Sequence, residues 1–256
     1  MRKNLRYQTR KIHRYLGLFI GVQFFFWTLG GLYFSWNNMD DVHGDLLRRE
    51  TKMVTSIQFD SLQPVLQKLQ QQMKPDSVAS IELVNNGVEE LMAVAMYHNG
   101  MKHVQLINLK NNQLKEPLNE EEAVEVAKAA FIEKVPVKQA VYITEKEVSA
   151  HSEYREKPLP AYAITFDHPQ KPTVYVATQL GKVTSVRNNN WRRFDFLWML
   201  HTMDYESRDH ITNWLLRIFS VMGILTILSG FLLFGLTSPT VRRRFRRRIA
   251  DKNSVC

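Results

Sequence analysis

Tyr15–Trp36 reads YLGLFIGVQFFFWTLGGLYFSW, 22 residues without a formal charge. At about 1.5 Å of rise per residue this run spans roughly 33 Å as a helix, enough to cross the hydrocarbon core of a bilayer. Trp27, Tyr33, Phe34 and Trp36 gather toward its far end, where aromatic rings suit the membrane–water interface. The run is too long for the apolar region of a signal peptide, and Asn37-Asn38-Met39-Asp40 offers no small-x-small cleavage site, so it is expected to stay as an anchor. Working outward, Ile218–Leu236 is a second apolar run of about one bilayer thickness. Trp214 and Arg217 stand at its start, and Ser238-Pro239 ends it. The expected fold is a membrane protein with two transmembrane helices and an extracytoplasmic α+β domain between them.

The charges set the orientation. The chain has a net charge of +9, yet Met1–Arg14 holds six basic residues and no acid, and Val241–Cys256 holds seven basic residues and one acid. Between Asn37 and His210 there are 20 basic and 24 acidic residues. Positive charge confined to two short tails beside apolar runs is a topology signal and argues against nucleic-acid binding. The positive-inside rule places both termini in the cytoplasm and exports the middle of the chain; an exported span without cysteine is compatible with a bacterial envelope, with the spans expected in the inner membrane and the domain in the periplasm. The single cysteine, Cys256, rules out an intrachain disulfide framework and a cysteine metal cluster.

The span from Phe59 to Arg187 shows an internal duplication. Leu62, Val65, Leu66 and Leu69 follow helical spacing behind Asp60 or Ser61 as an N-cap, and Pro75 ends the run. Strands are expected at Val78–Val84, Glu90–Tyr97 and Lys102–Leu109, with Asn99-Gly100 as a hairpin turn. The order then repeats. Asn119 caps a helix Glu120–Phe131 with Glu122 at the capping-box position, and strands follow at Lys138–Thr144, Ala161–Phe166, Thr173–Ala177 and Lys182–Val186. The chain thus divides into a basic tail (1–14), a first span (15–36), a linker (37–58), two helix-plus-antiparallel-sheet repeats (59–116 and 117–190), an amphipathic interfacial segment (191–210), a second span (211–237) and a basic tail (238–256).

The second repeat resembles a PepSY domain, and the whole chain resembles the PepSY-associated transmembrane family. The residues that carry the resemblance are Leu159–Phe166, Val174-Tyr175-Val176, Gly181-Lys182-Val183, His13–Leu18, Leu200-His201 and Leu228–Phe231. Some members of that family are haem-containing reductases that release iron from ferric siderophores, and others are known only as domains without an assigned role. The resemblance therefore implies a haem-linked redox component of iron uptake, working with haem b, a ferric siderophore and a TonB-dependent uptake system. The alternative it implies is a non-enzymatic anchored module that binds a peptide, protease or transporter.

Haem iron in electron-transfer proteins is commonly held by axial imidazoles, so histidines near the spans are the residues to weigh. His13 lies at the cytoplasmic end of the first span and shares a drifting helix face with Gly17 and Gly21. His43, His201 and His210 lie on the outer side. His13 and His201 are the expected iron ligands, with His43 or His210 as alternates and Arg217 as a residue for haem propionates. A bis-histidine site at the cytoplasmic face calls for a second copy of His13, from a homodimer, or for a partner subunit. His98, His103, His151 and His168 read as solvated surface. No flavin or nicotinamide motif is present, so electrons are expected from quinol or another protein. Gly17/Gly21 and Thr226/Gly230 have the small-xxx-small spacing of helix association faces.

Overall fold

The computed structural model describes residues 2–50, 53–54, 59–208 and 210–239. The C-terminal arginine clusters and Cys256 lie outside the described residues. The chain forms two compact units: Asn37–Asp195, and α1 together with the residues from Phe196 onward.

In the second of these, α1 (Arg2–Trp36) and α6 (Trp214–Thr237) are each long and apolar enough to cross a membrane. α1 begins well before the apolar run, because the basic residues Arg2–Arg14 have good helix propensity and simply extend it. Asn213 caps α6, its side chain accepting from the Leu216 amide at 2.7 Å. The apolar side chains face outward: Phe24 is 63% exposed, Phe231 69% and Phe234 65%. Helices of this kind are stable only in an apolar medium. They pair antiparallel, with Phe19 stacked on Phe219 at 5.2 Å and His13 opposite Ser229.

The unit Asn37–Asp195 contains the two repeats. The first is α3 (Phe59–Met73) with strands β1 (Ser77–Asn85), β2 (Glu90–His98), β3 (Met101–Asn108) and β4 (Gln113–Lys115) in the order β1-β2-β3-β4. The second is α4 (Glu120–Ala130) with β5 (Val137–Ile143), β6 (Ala161–Phe166), β7 (Thr173–Ala177) and β8 (Lys182–Arg187) in the order β5-β6-β7-β8. Both sheets are antiparallel throughout. Asn119 and Glu122 form the expected capping box, worth about 1 kcal/mol. Three details depart from the sequence reading. α3 includes Phe59, so Asp60 and Ser61, expected as its N-cap, lie within the helix. β4 was not foreseen, since three residues carry too little pattern. The stretch expected as a linker holds α2 (Met39–His43) and a 3₁₀ turn (Asp45–Leu47), and it is pinned to the second repeat by the Arg48–Phe131 bridge and by Asn188 donating to the Asp41 carbonyl at 3.0 Å.

Each helix covers one face of its sheet. Leu62 and Leu69 of α3 pack on Met92, Val94, Met96 and Ile107, while Ala123, Val126, Ala127 and Ala130 of α4 pack on the equivalent face of β6–β8. Each fully buried large side chain contributes about 1.5–3 kcal/mol. The second faces are covered differently. On the first sheet, Leu91, Ala93 and Leu106 meet the β7–β8 turn, where buried Asn86 donates to the Gly181 carbonyl at 2.8 Å. On the second sheet, Tyr154 of the Thr144–Pro160 loop stacks on Tyr175 at 4.6 Å. Glu153–Arg192 (2.5 Å) and Arg155–Asp195 (2.7 Å) tie that loop to α5 (Asn189–Thr202).

Gly181 combines a φ of +65° with a close approach, since a Cβ there would stand 2.6 Å from Leu91 Cδ1. Gly100 has a φ of +75° but open space around it. Gly181→Ala is therefore expected to cost about 2–4 kcal/mol, the sum of left-handed strain and overpacking, and Gly100→Ala only about 1–2 kcal/mol. Urea titrations followed by far-UV circular dichroism check the difference; equal costs would contradict the docking of this turn.

Candidate functional site

α1 and α6 bring together two residues 216 apart in sequence. His13 Nδ1 lies 2.8 Å from Ser229 Oγ, and the ring sits over Gly230, where a Cβ would stand 3.2 Å from His13 Cε1. The Ser229 hydroxyl donates its proton to the Thr226 carbonyl at 2.7 Å. A hydroxyl has one proton to give, so when Ser229 gives it to the Thr226 carbonyl it accepts from His13 Nδ1–H. Nε2 makes no hydrogen bond among the described residues. A hydrogen bond at one ring nitrogen that sets the lone pair on the other is how a metal-ligating histidine is oriented. Ser229 lies eight residues before the end of α6, so His13 is level with a point about 12 Å along α6 from that end.

Beside His13, the two helices leave an apolar groove of about 460 Å³, bounded by Gly17, Gly21 and Phe24 of α1 and by Gly223, Ile224 and Ile227 of α6. No atom lies within 4 Å of where a Cβ would stand on Gly17, Gly21 or Gly223. Of the small residues, Gly230 makes the close approach and the α1 glycines form an open surface.

At the Trp36 end of α1, His201 of α5 sits among three rings: Trp27 at 5.5 Å, Phe34 at 5.9 Å and Trp198 at 6.2 Å. His201 Nδ1 and Trp27 Nε1 are buried without a hydrogen-bond partner. Gln23 holds α5 in place by donating to the Leu200 carbonyl at 2.9 Å. Trp27 is fourteen residues after His13, about 21 Å along α1, so the structure does not bring His13 and His201 to one iron atom. Arg217 is exposed, twelve residues before Ser229 and thus about 18 Å along α6 from His13. His43 ends α2 with its side chain exposed. Among the described residues no group of three or more His, Cys, Asp or Glu gathers as for a metal ion.

His210 belongs to a different structure, the loop before α6. Asp204 is buried there and accepts from the Ser207 hydroxyl, from the Ser207 amide at 3.1 Å and from the His210 amide at 2.8 Å. The exposed His210 ring meets the same Ser207 hydroxyl at 2.6 Å. Burial pushes the Asp204 carboxyl up, but the hydrogen bonds from Ser207, His210 and Glu206 outweigh it and hold the group at about 2.

A family model described as the PepSY-associated TM region matches residues 10–252. The chain belongs to the PepSY-associated transmembrane family. The match takes in both apolar helices and the domain between them, so this is a membrane-anchored PepSY protein. Among curated proteins and among solved structures, nothing matches the chain significantly. Within this PepSY-associated protein, the residues that sequence reading missed are Ser229, Trp27 and Asp204. Ser229 is one of several hydroxyls in a membrane helix, and only the antiparallel register selects it.

A carboxyl held at about 2 instead of 3.8 stabilises the folded loop fully above the unfolded value and loses that contribution as pH falls through the folded one. The stability difference between the wild type and Asp204→Asn is therefore expected to be constant above pH 5 and to shrink toward pH 2. Urea midpoints measured across that range check it; a pH-independent difference would contradict the assignment.

Proposed function

We propose that this chain is a haem-linked redox component of bacterial iron uptake, of the ferric-siderophore reductase type. It sits in the inner membrane with both ends in the cytoplasm and the PepSY domain in the periplasm. The observation that carries the reading is His13, whose Nδ1 is engaged by Ser229 and whose Nε2 makes no hydrogen bond among the described residues. The open glycine surface one and two turns further along the same face, at Gly17 and Gly21, suits a flat macrocycle. Bound haem b would supply a one-electron carrier. One copy of the chain offers one imidazole at this level, so the second axial ligand comes from His13 of a second copy or from a partner subunit. His201, some 21 Å away along α1, serves the outer end of the electron path, and its unpartnered Nδ1 marks it as the group with a bond still to make. His43, His210 and Arg217 have no part in the site at His13. The orientation rests on the six basic residues of Met1–Arg14 and the arginines beyond Pro239.

A second reading has its own observation. Among the described residues no strand pairs with the outer edge of β1, and a peptide strand could add to it, making the chain an anchored module for a peptide, protease or transporter partner. On that reading His13→Ala leaves function intact.

The full chain, expressed with ample haem and purified in mild detergent, is expected to give sharp b-type bands in its reduced-minus-oxidised spectrum. His13→Ala should abolish them, and Ser229→Ala should weaken haem loading by about 10–100-fold. No bands in the wild type would end the haem reading. Separately, an alkaline phosphatase fused after Cys256 should be inactive; an active fusion would overturn the orientation.

A further inference from the structure

The β2–β3 hairpin turns on Asn99-Gly100, both with positive φ (52° and 75°), and a two-residue turn of this kind fixes the register of its strands. His98 pairs with Met101, and Met96 pairs with His103. Side chains alternate along a strand, so His98, Met101 and His103 share one face with Met96. Met96 belongs to the core beneath α3, so this is the face that α3 covers. α3 ends at Met73, and His98 reaches the carbonyl of Lys74 just beyond it. The two histidines and Met101 therefore stand at the uncovered end of that face. His98 and His103 are half-buried, and Met101 is 62% exposed. As single residues the histidines read as solvated surface; the hairpin brings them together.

A carbonyl oxygen only accepts, so the 3.1 Å contact between His98 Nδ1 and the Lys74 carbonyl puts a hydrogen on Nδ1. In the neutral ring Nε2 then holds the lone pair, and the Asn99 side-chain amide lies 3.1 Å from it. A backbone carbonyl behind one ring nitrogen and a lone pair at the other is the arrangement that orients a metal-ligating histidine. His103 makes no hydrogen bond among the described residues, so no such bond fixes which way its ring faces. The two ring centroids stand 6.5 Å apart. Two imidazoles that hold one ion from opposite sides, each through a bond of about 2 Å, have centroids roughly 6 Å apart. Met101 is the cross-strand partner of His98 and lies two residues along the strand from His103, within reach of both.

We propose that His98, His103 and Met101 form a site for monovalent copper at the tip of the hairpin. The donor set decides the ion. Zinc calls for three or four protein ligands drawn from Cys, His and carboxylates. Among the described residues no Asp, Glu or Cys joins this pair, and the Asp76 carboxylate accepts from the Asn99 backbone amide at 2.8 Å. Two imidazoles and one thioether make a small, soft set, which suits Cu(I). The Asn99 side-chain amide holds the place of the ion on Nε2, and as an exposed group on a turn it can swing aside. The haem reading plays no part here, since the hairpin and His13 belong to different units of the chain.

The test uses the full chain in detergent, free of oxygen, titrated with Cu(I) against a chromophoric Cu(I) chelator. The wild type is expected to bind one Cu(I) that His103→Gln holds at least about tenfold more weakly, the loss seen even for an indirect partner of a metal. His151→Gln, at an exposed position in the second repeat, should change nothing. X-ray absorption at the copper edge should show nitrogen and sulfur neighbours in the loaded wild type. Met101→Leu, which keeps the size of the side chain, should remove the sulfur without loss of circular dichroism signal. Equal affinity for the wild type and His103→Gln would overturn the proposal. So would a copper spectrum without sulfur in the wild type, or displacement of the bound Cu(I) by an equal amount of Zn(II). His13→Ala should remove the haem bands and leave Cu(I) binding unchanged, so the two readings fail separately.

Discussion

The Ser229 hydroxyl has one proton, and the Thr226 carbonyl takes it. From that constraint the orientation of His13 follows: with Nδ1 turned to the Ser229 hydroxyl, Nε2 is turned away from it. Such an interhelical hydrogen bond in lipid is worth only about 0.6–2 kcal/mol, so its consequence is orientation more than stability. Gly230 favours it, because a Cβ there would stand 3.2 Å from His13 Cε1 and push the ring outward by a few tenths of an ångström.

The two repeats of the PepSY unit show how similar local rules end in different surroundings. Each builds a helix on one face of a four-stranded sheet, and each must then dispose of the other face. The first sheet receives the Gly181 turn, and the second receives the Tyr154 loop. The Glu82–Lys182 pair then joins β1 to the second repeat.

Period-two and period-3.6 patterns placed seven of the eight strands and both repeat helices, because each has one apolar face that repeats over five residues or more. β4 is too short for such a pattern, and α2 rests on Val42, a lone buried apolar residue. The candidate site was legible only by residue type. His13 and His201 stood out as histidines beside apolar runs, but nothing local told which nitrogen of either was free or how far apart they lie.

By itself, then, the sequence determined what short-range physics controls: two apolar spans from length and absence of charge, their basic flanks, and a doubled α+β domain from alternation and capping. The tertiary structure alone decided that His13 meets Ser229, that His201 sits in an aromatic box at the other end of the helix, and that Asn86 holds the Gly181 turn against the first sheet. Those facts depend on the register between segments up to 216 residues apart, and a register is set by packing that no local stretch of residues contains.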